Sequence, residues 1–172
     1  VGSYGYSGPP FGLKYRGYGD ILVFLTLGPV SCMGTFYLLT GTVTWSPIIL
    51  SIPIASLVTS ILHTNNMRDH KRDKEAGITT FALVAGTDGS HFLFLFLILM
   101  AYVMPLFMVI AKLSGPWILL CESSFLYAIK PIKEVLHGNE QELKNIDKKM
   151  AGLFTMYSLL LILGLIVEGF NL

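Results

Sequence analysis

Long apolar runs without charge constrain this chain more than any other feature. Residues 21–39, 91–111 and 151–167 contain no Asp, Glu, Lys or Arg, and 47–64 has His63 as its one ionisable side chain. As a helix, 21–39 spans about 28 Å, close to the roughly 30 Å thickness of a bilayer's hydrocarbon. Hydrocarbon offers backbone N–H and C=O groups no partner, so runs like these cross as helices. Charged residues make up 13% of the 172, against about 25% in a soluble domain. The expected fold class is therefore all-α: one polytopic transmembrane helix bundle of about five spans, at 20–39, 47–64, 91–111, 116–129 and 151–167. The protein is expected to be an integral membrane protein.

The connections carry the polar residues. Residues 1–19, rich in Gly and Tyr with Pro9 and Pro10, read as a loop, and Asp20 is placed to cap the first span. They do not read as a signal peptide, and the chain is expected to begin inside something larger. Residues 78–86 are too short to cross and read as a helix on the membrane surface, closed by the breaker Thr87-Asp-Gly-Ser90. Residues 131–149 read as amphipathic, with Asn139 and Glu142 spaced as a capping box. Pro29, Pro53 and Pro105 fall inside spans and predict kinked helices.

Five spans bring the N-terminal loop, 65–80 and 131–149 to one side. With Lys130 at that border, they hold every Lys and Arg of the chain except Lys112. The positive-inside rule puts that side in the cytosol. The net charge of +1 gives no support for a nucleic-acid partner, and Cys32 and Cys121 stand apart in apolar segments as small packing residues.

One polar cluster breaks the apolar pattern: His63-Thr-Asn-Asn-Met-Arg-Asp-His-Lys-Arg-Asp-Lys-Glu-Ala-Gly77. Asn65, Asp69 and Asp73 recur every fourth residue, so on a helix they share a face with Cβ atoms roughly 5–6 Å apart. In a soluble protein such a stretch is usually a solvated, salt-bridged face. At a membrane helix end its two carboxylates and carboxamide suit Mg²⁺, whose shell water and substrate phosphate would complete. Asp69 and Asp73 are thus the catalytic candidates, and with Asn65 the metal ligands. Asn66, Arg68 and Lys71 are substrate-binding candidates, the cations for phosphate oxygens.

Continued to Thr80, this cluster resembles the second aspartate-rich motif of the UbiA superfamily of membrane prenyltransferases. Its Asn-Asn-x-Arg-Asp-x-x-x-Asp form is similar to the menaquinone-making branch, the 1,4-dihydroxy-2-naphthoate prenyltransferases and their animal menaquinone-4-forming relatives. Gly12-Leu-Lys-Tyr-Arg-Gly-Tyr-Gly-Asp20 followed by Leu27-Gly-Pro29 resembles the stretch preceding that motif. Lys14 and Tyr15 join the substrate-binding candidates only through this resemblance. Two departures stand out. The family's first acidic motif is absent from these residues, and Ile78 stands where bacterial members often have Lys, as in the animal-like branch. The resemblance implies the C-terminal half of a nine-helix bundle, its N-terminal half on the same or a separate chain. It also implies Mg²⁺, an isoprenyl diphosphate and an aromatic acceptor as cofactor and substrates. Two other readings compete: a CDP-alcohol phosphatidyltransferase-like enzyme, which also uses D-x-x-x-D, and a non-catalytic transporter or scaffold subunit. The upstream Asp-Gly and Ala-Arg of the former are missing, since Ser60-Ile-Leu-His-Thr-Asn-Asn66 precedes the acidic pair.

Overall fold

Proline and glycine decide where the helices bend. The computed structural model describes residues 17–137 and 143–170. Helix α1 (Gly19–Leu25), a π-helical turn (Thr26–Val30) and α2 (Ser31–Thr40) run on as the first span. Pro29 lies in that wide turn, where its missing N–H and ring bulk are accommodated. The Ser31 hydroxyl donates to the Thr26 carbonyl at 2.5 Å. Helix α3 (Ser46–Arg68) starts with Pro47 in its first turn and buries Pro53. Short α4 (His70–Glu75) follows, then α5 (Phe81–Ile110).

Of residues 78–86, expected as a short helix, Phe81 onward is helical. Gly86, at φ 67° and ψ −170°, breaks α5 into a short leading piece and a long run. Thr87–Ser90 is not a breaker but the first turn of that run, so the span starts before residue 91. Gly86 alone turns the chain, because it can adopt a positive φ without steric cost.

The stretch 116–129 is not a single α-helix. Pro116–Ser124 is a 3₁₀-helix that passes into α6 (Phe125–His137). The hydroxyls of Ser123 and Ser124 donate to the carbonyls of Leu120 and Cys121, at 2.8 and 2.7 Å, and so are satisfied within their own helix. The two segments together rise about 37 Å. The amphipathic stretch 131–149 is likewise divided: its front belongs to α6 and residues 146–149 open α7 (Ile146–Phe170). Its proposed capping box lies outside the described residues. Among these, four helical stretches are long and apolar enough to cross a membrane: Gly19–Thr40, Ser46–Arg68, Phe81–Ile110 and Ile146–Gly169.

An aromatic knot ties α5, the 3₁₀-helix and α7 together. Tyr102 and Tyr157 meet edge to face at 5.5 Å, the Tyr157 hydroxyl donates to the Ala101 carbonyl at 2.6 Å, and the Tyr102 hydroxyl lies 2.9 Å from that of Ser124. Each buried phenol thus has a partner, as an apolar interior demands. At Gly164 the α7 backbone lies so near the 3₁₀-helix that a Cβ would overlap the Trp117 carbonyl. The fold closes at one end with a Lys149–Glu134 ion pair between α7 and α6.

Candidate active site

The acidic cluster occupies the junction of α3 and α4. Asp69 leaves helical geometry (φ −89°, ψ 8°) and bends the chain. Yet its N–H still bonds to the Asn65 carbonyl, and the N–H of Asp73 to the Asp69 carbonyl, both at 2.9 Å. The four-residue repeat therefore survives the bend. Gly77, at φ 68°, ends α4; its N–H reaches the Lys74 carbonyl and that of Ile78 the Asp73 carbonyl, at 3.2 and 2.9 Å. These paired bonds are a Schellman motif, whose left-handed position favours glycine. Thr80 then caps α5, its hydroxyl accepting from the Leu83 N–H at 3.3 Å.

Two cavities flank the bend. A small one of about 270 Å³ is lined by Asn66, Asp69, Arg72 and Asp73, with Thr80 and Phe81 opposite. A larger cleft of about 990 Å³ is bordered by Arg68, Asp69, Lys71, Arg72, His91 and Lys144. Asp69 and Arg72 border both. Of the expected site residues, Asp69, Asp73 and Asn66 come together at the small cavity, and Arg68 and Lys71 at the cleft. Asn65 lines neither, and its buried Oδ1 has no hydrogen-bond partner among the described residues. Lys14 and Tyr15 lie outside the described residues.

Arg68 grips its neighbour. Its Nε and Nη2 donate to Oδ1 and Oδ2 of Asp69 at 3.1 and 3.0 Å. Consecutive residues on a helix do not face one another; the long Arg side chain meets Asp69 at the bend. These hydrogen bonds hold the Asp69 carboxyl below the usual carboxylate range, against an opposing effect of burial and with help from Arg68 and Arg72 charge. The same guanidinium reaches across to Asp147 in the first turn of α7, 3.3 Å away.

Behind the cavity lies a second polar assembly. Asp20 is buried and caps nothing, contrary to expectation: the residue before α1 has no side-chain capping bond. Its Oδ2 accepts from His63 Nδ1 at 2.8 Å and its Oδ1 from Asn66 Nδ2 at 3.2 Å. His63 Nε2 faces the Ser90 carbonyl at 3.0 Å. Each ring nitrogen therefore has an oxygen within hydrogen-bond distance, one on Asp20 and one on Ser90. Asp20 and His63 thus join three spans and hold Asn66 at the cavity wall. Asp20 and Asp147 were absent from the expected site; each is an isolated acid at a span's head whose partner lies far off in sequence.

The donor set suits a hard cation in part. Among the described residues no cluster of three or more His, Cys, Asp or Glu forms a metal shell. Two carboxylates and a carboxamide on one small cavity are nonetheless what Mg²⁺ uses when water and phosphate complete its coordination.

Fold and site together define an integral membrane helical bundle with an acidic helix end opening on paired cavities. The chain belongs to the UbiA prenyltransferase family, whose profile matches residues 1–159. It is 31% identical over 172 residues to the 1,4-dihydroxy-2-naphthoate octaprenyltransferase of Bacillus subtilis, covering 98% of this chain and 54% of that protein. It is 32% identical over 149 residues to the UbiA prenyltransferase domain-containing protein 1 homolog of Drosophila melanogaster, covering 87% of this chain and 40% of that protein. The human UbiA prenyltransferase domain-containing protein 1 is 37% identical over 101 residues, 59% of this chain and 30% of its own. The chain thus spans about half, or less, of the length of these relatives. No solved structure matches it.

Proposed function

We propose that this chain provides the second acidic motif of a Mg²⁺-dependent membrane prenyltransferase. The reaction would move a polyprenyl group from an isoprenyl diphosphate to an aromatic quinone precursor, 1,4-dihydroxy-2-naphthoate or a close analogue. One observation carries the reading: in a chain of this family, Asp69 and Asp73 border a single small cavity at a bundle end. Asp69 and Asp73 would hold the ion, with the carboxamide of Asn65 or Asn66. Bound there, Mg²⁺ supplies Lewis-acid stabilisation of charge on the departing diphosphate. Arg68, Lys71 and Arg72 point-charge the remaining phosphate oxygens from the adjoining cleft. Lys14 and Tyr15 are kept as substrate-binding candidates on the resemblance alone. The apolar interior takes the lipid tail and keeps water from the allylic cation.

The test is charge removal. In the enzyme assembled with the N-terminal half of a menaquinone-branch relative, Asp69→Asn or Asp73→Asn is expected to lower kcat about 10²–10³-fold, roughly 3–4 kcal/mol. Glu75→Gln, exposed and lining neither cavity, should be nearly silent. Equal losses at all three positions would indicate general surface electrostatics and sink the assignment. The cytosolic orientation of the motif is tested separately by single cysteines in a cysteine-free background. A cysteine at exposed Gly77 should react only from the cytosolic side, and one at Thr42 only from the other.

A further inference from the structure

Arg68 engages both oxygens of Asp69, taking one lone pair of each and setting a positive charge where a cation would bind. The same Arg68 stands 3.3 Å from Oδ1 of Asp147, an oxygen that is buried and has no hydrogen-bond partner among the described residues. At that distance the two groups form an ion pair, looser than the two bonds to Asp69. One guanidinium therefore lies between two carboxylates, doubly bonded to one and loosely ion-paired with the other. A buried acceptor left unmet costs free energy, so a side chain poised to satisfy it has reason to move.

We propose that Arg68 is a movable guard over Asp69, and that Asp147 is the positioning residue that receives it when Asp69 takes a cation. The inference rests on the functional reading above. A guanidinium fork matches any carboxylate bidentately, so transfer from Asp69 to Asp147 exchanges one paired set of bonds for another. Arg68 keeps a counter-ion throughout, the orphan oxygen of Asp147 is satisfied, and Asp69 turns to the cavity it shares with Asp73. Without Asp147, freeing Asp69 would leave the partly exposed Arg68 guanidinium with no carboxylate in place to receive it. Asp147 touches neither cavity, and so acts only through Arg68.

The probe is Mn²⁺ with inorganic diphosphate, titrated into the detergent-solubilised full chain and followed by the paramagnetic resonance of free Mn²⁺. Asp147→Asn is expected to weaken binding about tenfold, the equivalent of one charge-assisted hydrogen bond. Asp147→Glu should restore most of the affinity. In an Arg68→Gln background, Asp147→Asn should change nothing, since the cycle removes the group through which it acts. An unchanged affinity in Asp147→Asn overturns the inference, as does the same tenfold loss persisting without Arg68. Asp73→Asn separates the two levels. Mn²⁺ binding indifferent to Asp73→Asn overturns the functional reading and this inference with it. Binding lost in Asp73→Asn but untouched by Asp147→Asn overturns this inference alone.

Discussion

The first two spans are alike in length and apolar character and opposite in environment. Gly19–Thr40 and Ser46–Arg68 are 22 and 23 residues long, yet in their apolar centres 6% of residues are buried in the first and 56% in the second. The first turns Val30, Tyr37, Leu38 and Leu39 outward. The second buries Ser51, Ala55, Ser56, Thr59 and Ser60. Lipid is as apolar as Leu, so hydrophobicity does not sort helices inside a membrane; small side chains do, by letting backbones approach. Ser56, Ser60 and Thr64 bond to carbonyls of their own helix at 2.8, 2.7 and 3.0 Å, so α3 carries hydroxyls without needing another helix to satisfy them. Within α3, burial tracks these small side chains, though Leu57 and His63 are buried beside them.

The sharpest way to break this contrast is at the buried Asp20–His63 contact between the two spans. His63→Ala leaves Oδ2 of the buried Asp20 without its hydrogen-bond partner, and is expected to cost about 1–3 kcal/mol of stability. Unfolding in mixed micelles would measure it, with faster hydrogen exchange confined first to α1. A loss below about 1 kcal/mol would mean that packing alone holds the outer span. Packing is tested at Gly28, where a Cβ would overlap that of Ala55. Gly28→Leu should cost about 1–3 kcal/mol. Gly34→Leu is the control, on the same span with open space around it, and should stay within about 0.5 kcal/mol of the parent. Similar losses at both glycines would show that the outer span is packed along its whole length.

Much of this architecture is legible in the sequence because its cause is local. Uncharged runs place the spans in the membrane, and the four-residue acidic repeat places Asp69 and Asp73 together. What escapes notice is either a change of helix type or a pairing over long separation. A 3₁₀-helix at Pro116–Ser124 leaves the same apolar composition as an α-helix, and no residue pattern there marks the tighter winding. Thr87-Asp-Gly-Ser90 is polar enough to look like a loop, but once Gly86 has made the turn those residues begin a helix. Asp20 with His63 and Arg68 with Asp147 join spans far apart in the chain. No periodicity records such partners.

The smallest effect concerns the hydroxyls of α3. Thr59 is buried at 2% exposure, and its Oγ1 has no hydrogen-bond partner among the described residues, unlike the hydroxyls of Ser56, Ser60 and Thr64. If side-chain size is what fits α3 into the bundle, that hydroxyl contributes nothing as a donor and carries a desolvation cost. Valine keeps the branched shape and removes the unmet group, so Thr59→Val should raise stability by about 0.5–1 kcal/mol. Thr64→Val deletes a hydroxyl that donates to carbonyls already bonded within the helix, and should lower stability by about 0.5 kcal/mol. The opposite signs are the informative result, read from paired unfolding curves in the same micelle. A loss of more than about 1 kcal/mol on Thr59→Val would show that its hydroxyl finds a partner, and that polarity as well as size holds α3 in place.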